Sequence, residues 1–194
     1  MVGFTRVDGR SFCDLRQFSV ELNPLKSGPS CRITVGGSSS DGGSVDDCTA
    51  VMAVIYFSPD NKNRNAVGAY HRPTFEVYIR PKTGPVKGYI RAIECSLLKT
   101  LQDLVDSSAL GKVLVSARIQ VLVEGSGLLS ACLNALITCA LVSGLKLREV
   151  PHAVQFGVLR CNDSTGFIID PTSDELREHC LAGITMLCSP QTGV

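Results

Sequence analysis

Excess charge of either sign is missing from this sequence: 19 Lys and Arg stand against 18 Asp and Glu, for a net charge of +1. A wholly basic nucleic-acid coat is excluded on that ground, although a local basic patch is not. Histidine is scarce as well. His71, His152 and His179 are scattered and no Cys-x-x-Cys pair occurs. Zinc needs clustered ligands, so no metal or other cofactor is expected. The N-terminal MVGFTRVDGR lacks the apolar core of a cleavable signal. Collagen-like, coiled-coil and disordered chains are excluded by composition, since 44% of residues are hydrophobic and only 19% charged. At 194 residues the chain is long enough for one domain, or two small halves sharing a core.

Cysteine is what the sequence has in plenty. The nine are an odd number, and Cys95, Cys132, Cys139 and Cys188 sit in apolar runs. They read as small buried hydrophobes in a reducing compartment, not as a disulfide framework. The other local excess is of positive charge. Residues 60–91 hold Lys62, Arg64, Arg72, Arg80, Lys82, Lys87 and Arg91 against Asp60 and Glu76, while the segments on either side are mildly acidic. A solvated surface accounts for such a stretch as well as a binding patch does.

Periodicity orders the chain as strands, helix, strand, helix, strands. Alternation marks Gln17–Leu22, with Phe18, Val20 and Leu22 on one face, and Thr74–Arg80, with Phe75, Val77 and Ile79 inward. Cys31–Val35 is a short strand, followed by a Gly/Ser loop at 36–44. Thr49–Phe57 is a continuous apolar run, as expected of a buried central strand. A helix after Pro85 carries Ile90, Ile93, Leu97, Leu101 and Leu104 at helical spacing, with Glu94 off the stripe. Val113–Val123 alternates over its whole length. Gly125–Leu145 has no charge and is long enough to span a bilayer. It also carries Ser130, Asn134 and Thr138 at every fourth position, which favours a soluble helix buried between sheets, so no membrane partner is expected. Strands at 153–160 and 166–170, a helical turn near 174–180 and a last strand at 181–188 follow. The fold class is α+β, with helices packed on mixed sheets and a loose suggestion of internal duplication.

Three places could carry chemistry. The Gly-rich loop at 36–44 lacks the Gly-Lys-Ser/Thr helix start of a phosphate loop and reads as a hairpin tip. Glu124-Gly125-Ser126-Gly127 lies between a strand and a helix, where backbone amides can receive an anion. Glu124 borders that turn and no cation follows it, so a plain tight turn is the simpler reading. Asp170, Asp174, Glu175 and Glu178 could pair for acid–base work or hold a divalent ion, or could simply line a solvated face.

Taken in order, several segments resemble the RNase PH family. Arg6-Val7-Asp8-Gly9-Arg10 and Asp14-Leu15-Arg16 resemble its opening, and Phe57-Ser58-Pro59 stands where the family has Tyr-Gly-Pro. Arg91-Ala92-Ile93 resembles a helix whose arginine faces the active cleft. Leu128 to Ala135, then Ile169-Asp170-Pro171-Thr172, resembles the second-half signature. Leu15 to Phe18 and Phe75 to Gly84 are most similar to ring subunits of the eukaryotic RNA exosome within that family. The resemblance implies one RNase PH-like domain over residues 1–194; the family's C-terminal helix is not found within them, so either the sequence is cut short or its lineage lacks that helix, and a sheet face is expected to need another cover. It also implies a six-membered ring of such subunits under RNA-binding cap subunits, RNA threaded through a channel, and residence in nucleus, nucleolus and cytoplasm.

Departures from the family bear on activity. Phosphorolytic members resemble Asp-Gly-Gly-Thr-Arg at the second helix, where an amide, a hydroxyl and an arginine hold phosphate. Here Leu128 stands for the arginine, within Glu124-Gly125-Ser126-Gly127-Leu128, and a hydrocarbon cannot neutralise phosphate. Active members also carry a carboxylate six positions after the first Asp of the last motif; Asp170 fits the first place, Leu176 fills the second, and Glu175 is one residue short, so that it points elsewhere. The expectation is a degenerate active site at Glu124, Ser126, Leu128, Asp170 and Leu176, no catalysis, and RNA phosphates met by Arg64, Arg91, Lys62, Lys82 and Lys87. Two other readings stay open: a homomeric nuclease using the carboxylates near Asp170, and a protein-interaction module that binds no RNA.

Overall fold

The structure, a computed structural model, describes residues 6, 8–37, 47–59, 73–160 and 165–189. The first strands are β1 (Phe18–Leu22), β2 (Ser30–Val35), β3 (Thr49–Pro59) and β4 (Thr74–Arg80). They are followed by α1 (Gly88–Leu104), β5 (Val113–Val123) and α2 (Leu128–Val142). The chain then forms β6 (His152–Arg160), β7 (Thr165–Ile169), the short α3 (Ser173–Glu178) and β8 (Cys180–Cys188). A five-stranded sheet runs β1-β2-β3-β5-β4, and a three-stranded sheet runs β7-β6-β8. Among the described residues, only β4 against β5 is parallel and every other strand pair is antiparallel.

Alternation decides which side of the large sheet is core. Val51, Ala53 and Ile55 of β3 stand opposite Val121, Ile119 and Ala117 of β5, and all six are buried. Phe75, Val77 and Ile79 of β4 continue that face and receive Ile90, Leu97 and Leu101 of α1. Glu94, off the apolar stripe of α1, still turns inward: its carboxylate accepts from the Ile79 amide at 2.7 Å, supplying a partner that the edge strand lacks.

Helix α2 is buried nearly all round, which explains why its sequence looks like a membrane span. It packs on β2 and β3 of the large sheet and on β6 of the small one. Its polar stripe has a use. Asn134 Nδ2 donates to the Ala153 carbonyl at 2.9 Å, and the Ala153 amide donates back to Asn134 Oδ1 at 2.8 Å. No helix among the described residues is long and apolar enough to cross a membrane.

The expected burial of Cys95 and Cys188 needs correction. Cys132 and Cys139 are core residues, but Cys95 and Cys188 are exposed. Cys95 lies on the outer side of α1 and Cys188 at the end of an edge strand, so an apolar sequence neighbourhood did not mean an apolar environment. The small sheet also has one face open. Register and alternation place Val154, Phe156 and Val158 of β6 beside Phe167 and Ile169 of β7 and Ile184 and Met186 of β8. Phe167 is 63% exposed and Met186 50%.

Candidate functional site

The turn between β5 and α2 is shaped by close approach. Gly125 lies so near β3 that a Cβ there would come within 2.6 Å of both Asp47 Oδ1 and the Cys48 carbonyl oxygen. Gly127, the residue before α2, has φ of 76°, a conformation that L side chains rarely adopt. Between the two glycines, Ser126 is buried. Its hydroxyl donates to the Pro171 carbonyl at 2.7 Å, and its carbonyl accepts from Thr49 Oγ1 at 2.6 Å.

The amide of Ser126 does meet an anion, but one from the same chain. It donates to Asp47 Oδ1 at 3.0 Å and Oδ2 at 3.2 Å. Asp47 also accepts from the Ser173 amide at 2.6 Å and the Ser173 hydroxyl at 2.9 Å. Burial pushes the Asp47 carboxyl up, yet the hydrogen bonds from Ser126 and Ser173 outweigh it and hold the carboxyl below its ordinary value.

Asp170 is equally committed. Its Oδ1 accepts from Arg16 Nη2 at 2.6 Å and its Oδ2 from Arg16 Nε at 2.9 Å, a bidentate pair, and the Arg16 amide adds a third bond at 2.9 Å. Arg16 Nη1 continues to the Asp47 carbonyl at 2.6 Å. Burial alone lowers the affinity of Arg16 for its proton, but Asp170 and Asp47 more than reverse this. Glu175, 3% exposed, is held in the same way by Arg6, through Nε at 2.9 Å and Nη2 at 3.0 Å. Arg6 Nη2 also donates to the Asp170 carbonyl at 2.9 Å. Two of the four acidic residues at 170–178 are therefore buried on guanidiniums, whereas Asp174 and Glu178 are exposed. Among the described residues, no group of three or more His, Cys, Asp or Glu is arranged to hold a metal ion.

The remaining sequence-predicted residues divide by place. Leu128 points into the core at the first turn of α2, and Leu176 is half-buried on α3. Glu124 accepts a hydrogen bond from the Tyr89 hydroxyl, which ties the start of α1 to the end of β5. That bond raises the Tyr89 pKa. Lys82, Lys87 and Arg91 are exposed around the same start of α1, with Lys87 Nζ 6.0 Å from the centre of the Tyr89 ring. Lys62 and Arg64 lie outside the described residues.

Three of the residues that tie this region together were not among those singled out from the sequence as site residues. Arg6, Arg16 and Asp47 find partners up to 169 positions away, and no local pattern announces such pairs. Glu175 did leave a signal. Thr172 and Glu175 form a capping box, in which the Thr172 amide donates to Glu175 Oε2 at 2.8 Å and the Glu175 amide donates to Thr172 Oγ1 at 3.3 Å. That Thr-x-x-Glu spacing turns the carboxylate back toward the helix start, within reach of Arg6.

No family model matches the chain. A protein described as an exosome complex exonuclease RRP46 homolog, from rice (Oryza sativa subsp. japonica), is 28% identical over 156 residues, which is 80% of this chain. Those residues span 60% of the rice protein's length. The crystal structure of rice Rrp46 superposes with a TM-score of 0.76 at 25% identity, covering 93% of this chain and 84% of that one. An exosome from Archaeoglobus fulgidus, with RNA bound to its active site, superposes with a TM-score of 0.74 at 17% identity, covering 98% and 79%. The class that this fold defines is RNase PH-like, the fold of exosome subunits. Within it, sequence and structure together make the chain similar to Rrp46-type subunits.

Proposed function

We propose that the chain is a structural subunit of an RNA exosome ring that has no phosphorolytic activity of its own. It would share a six-membered ring with other RNase PH-like chains, beneath RNA-binding cap subunits, and offer cations to RNA passing through the channel. The observation that carries the loss of activity is the internal use of the anion-binding groups. Asp47 takes up the Ser126 amide, Arg16 takes up the Asp170 carboxylate, and Leu128 brings no charge to the turn. An incoming phosphate would have to displace a carboxylate held by four hydrogen bonds from Ser126 and Ser173.

The open apolar face of the small sheet supports assembly, because large exposed apolar patches mark interaction sites. Exposed Lys82, Lys87 and Arg91 support contact with RNA phosphates, without sequence reading. The nuclease reading has less support, since Asp170 and Glu175 are both engaged by arginines. The protein-interaction reading keeps one observation in its favour, that same apolar face.

RNA incubated with inorganic phosphate and the purified chain is expected to yield no nucleoside diphosphates. Their release by the purified chain would refute the proposal. Absent or salt-insensitive RNA binding by the assembled complex, unchanged by Arg64→Gln and Arg91→Gln, would favour the protein-interaction reading instead.

A further inference from the structure

The side of the five-stranded sheet turned away from the helices carries a second cluster suited to nucleic acid. It lies on the opposite face of the sheet from α1 and is separate from the cations at the start of that helix. Register places Tyr56 on β3, Arg118 on β5, and Tyr78 and Arg80 on β4, all on this outer face. They line a cleft of about 350 Å³ with Gln120, over a floor of Met52 and Val54. Both tyrosines are more than two-fifths exposed, although tyrosine is a costly residue to leave on an open sheet.

The charges there are unspent. Arg32, at the far side of the same face, sits 3.9 Å from Glu21. Glu76 accepts from the Tyr78 hydroxyl at 3.3 Å and is engaged locally. Neither Arg80 nor Arg118 has an ion pair among the described residues. Instead the Arg118 guanidinium lies 5.6 Å from the centre of the Tyr78 ring. A guanidinium stacked on an aromatic face keeps its N–H edge free for oxygen acceptors.

We propose that this outer sheet face binds single-stranded RNA, with bases stacked on Tyr56 and on the Tyr78–Arg118 pair and backbone phosphates met by Arg118 and Arg80. An aromatic platform beside unpaired arginines is the chemistry that binds single strands with little regard to sequence. Gln120 is engaged within the chain, its Nε2 donating to the Pro81 carbonyl at 3.3 Å and to the Val121 carbonyl at 3.1 Å, so recognition here falls to the rings and the arginines. An acidic protein segment would satisfy the arginines but would leave the rings without a function. The site belongs to this chain alone and does not depend on ring assembly or on the loss of phosphorolysis.

Binding of a short fluorescein-labelled oligouridylate to the full chain tests this, read by anisotropy across a salt series. All four residues are exposed, so the variants keep the wild-type melting curve. Arg80→Gln combined with Arg118→Gln is expected to weaken binding at low salt and to reduce the slope of log K against log salt by about 1.4, roughly 0.7 per phosphate contact. Tyr78→Leu is expected to weaken binding roughly tenfold, while Tyr78→Phe stays near wild type, because stacking needs the ring and not the hydroxyl. Arg91→Gln serves as a control for the other face: its effect should add to that of the double variant. Unchanged affinity and slope in the arginine double variant would overturn the inference. So would equal loss in Tyr78→Leu and Tyr78→Phe, or full competition by oligoglutamate with no effect of Tyr78→Leu, which would assign the face to an acidic protein.

Discussion

Arg16 is only 8% exposed, yet it satisfies Asp170 through two side-chain bonds and holds the loop at Asp47 through a third. A buried guanidinium of this kind adds little beyond a hydrophobic substitute while the pair is intact, but removing one partner strands the other. Arg16→Met is therefore expected to lower the unfolding free energy by about 3–5 kcal/mol, read from the urea midpoint at unchanged m value. Asp47 sets a pH dependence. Its folded pKa lies below the ordinary value of 3.8, so its stabilisation is complete above that value and is lost as pH falls through the folded value. Melting temperatures measured from pH 6 downward should drop on the acid side of about pH 4, and Asp47→Asn should make that drop shallower. The cysteines separate just as cleanly. Burial pushes the Cys132 and Cys139 thiols up to about 12, whereas Cys13, Cys95 and Cys188 are exposed. A thiol reagent should label the exposed three in the native protein, and Cys132 and Cys139 only on unfolding.

At the scale of elements, α2 and the turn before it do the organising. The helix joins both sheets, and Asn134 fixes its register against β6 by bonding both polar groups of the Ala153 backbone. Asn134→Leu would leave that amide and carbonyl without their partner, at a cost of about 1–3 kcal/mol. Gly125→Ala would drive a methyl group against Asp47, the Cys48 backbone and Thr49 Oγ1, the nearest at 2.6 Å. Backbone cannot swing aside as a side chain can, so the expected loss is about 1–3 kcal/mol in a thermal or urea melt. The loosened Asp47 contact should also flatten the acid limb, as Asp47→Asn does. Leu136, at the centre of α2 and 1% exposed, is an independent check on packing. Leu136→Ala should cost about 2–5 kcal/mol, with no effect on the pH profile.

For the molecule as a whole, the two sheets present unlike outer surfaces. The large sheet offers tyrosine and arginine to solvent, and the small sheet offers Phe167, Ile184 and Met186. These surfaces suit different partners: a polyanion on one, and on the other an apolar protein face that excludes water. Ile184→Asp combined with Met186→Asp is expected to leave the monomer folded, because both side chains are exposed, and to abolish co-purification with RNase PH-like partner chains. Native mass measured on the chain alone and mixed with such partners checks this. Retained assembly in the double variant would show that the proposed ring contact does not use this face.

By itself the sequence determined the order of strands and helices, the shared faces of β4 and β5, the central place of β3, and the burial of α2. Those follow from periodicity, and periodicity is a property of neighbours in the chain. The expected departures at Leu128 and Leu176 come from comparing single letters with the pattern of the family the sequence resembles. Only the tertiary structure decided what became of the charges that remain. Arg6 reaches Glu175 and Arg16 reaches Asp170 across 169 and 154 positions, and Asp47 arrives at the Ser126 amide from the segment just before β3. It likewise decided that Cys95 and Cys188 face solvent, and that tyrosines and arginines from three strands share one cleft. Electrostatic partners and exposure depend on distance in space, and a folded chain sets those distances through packing between segments that share no local pattern.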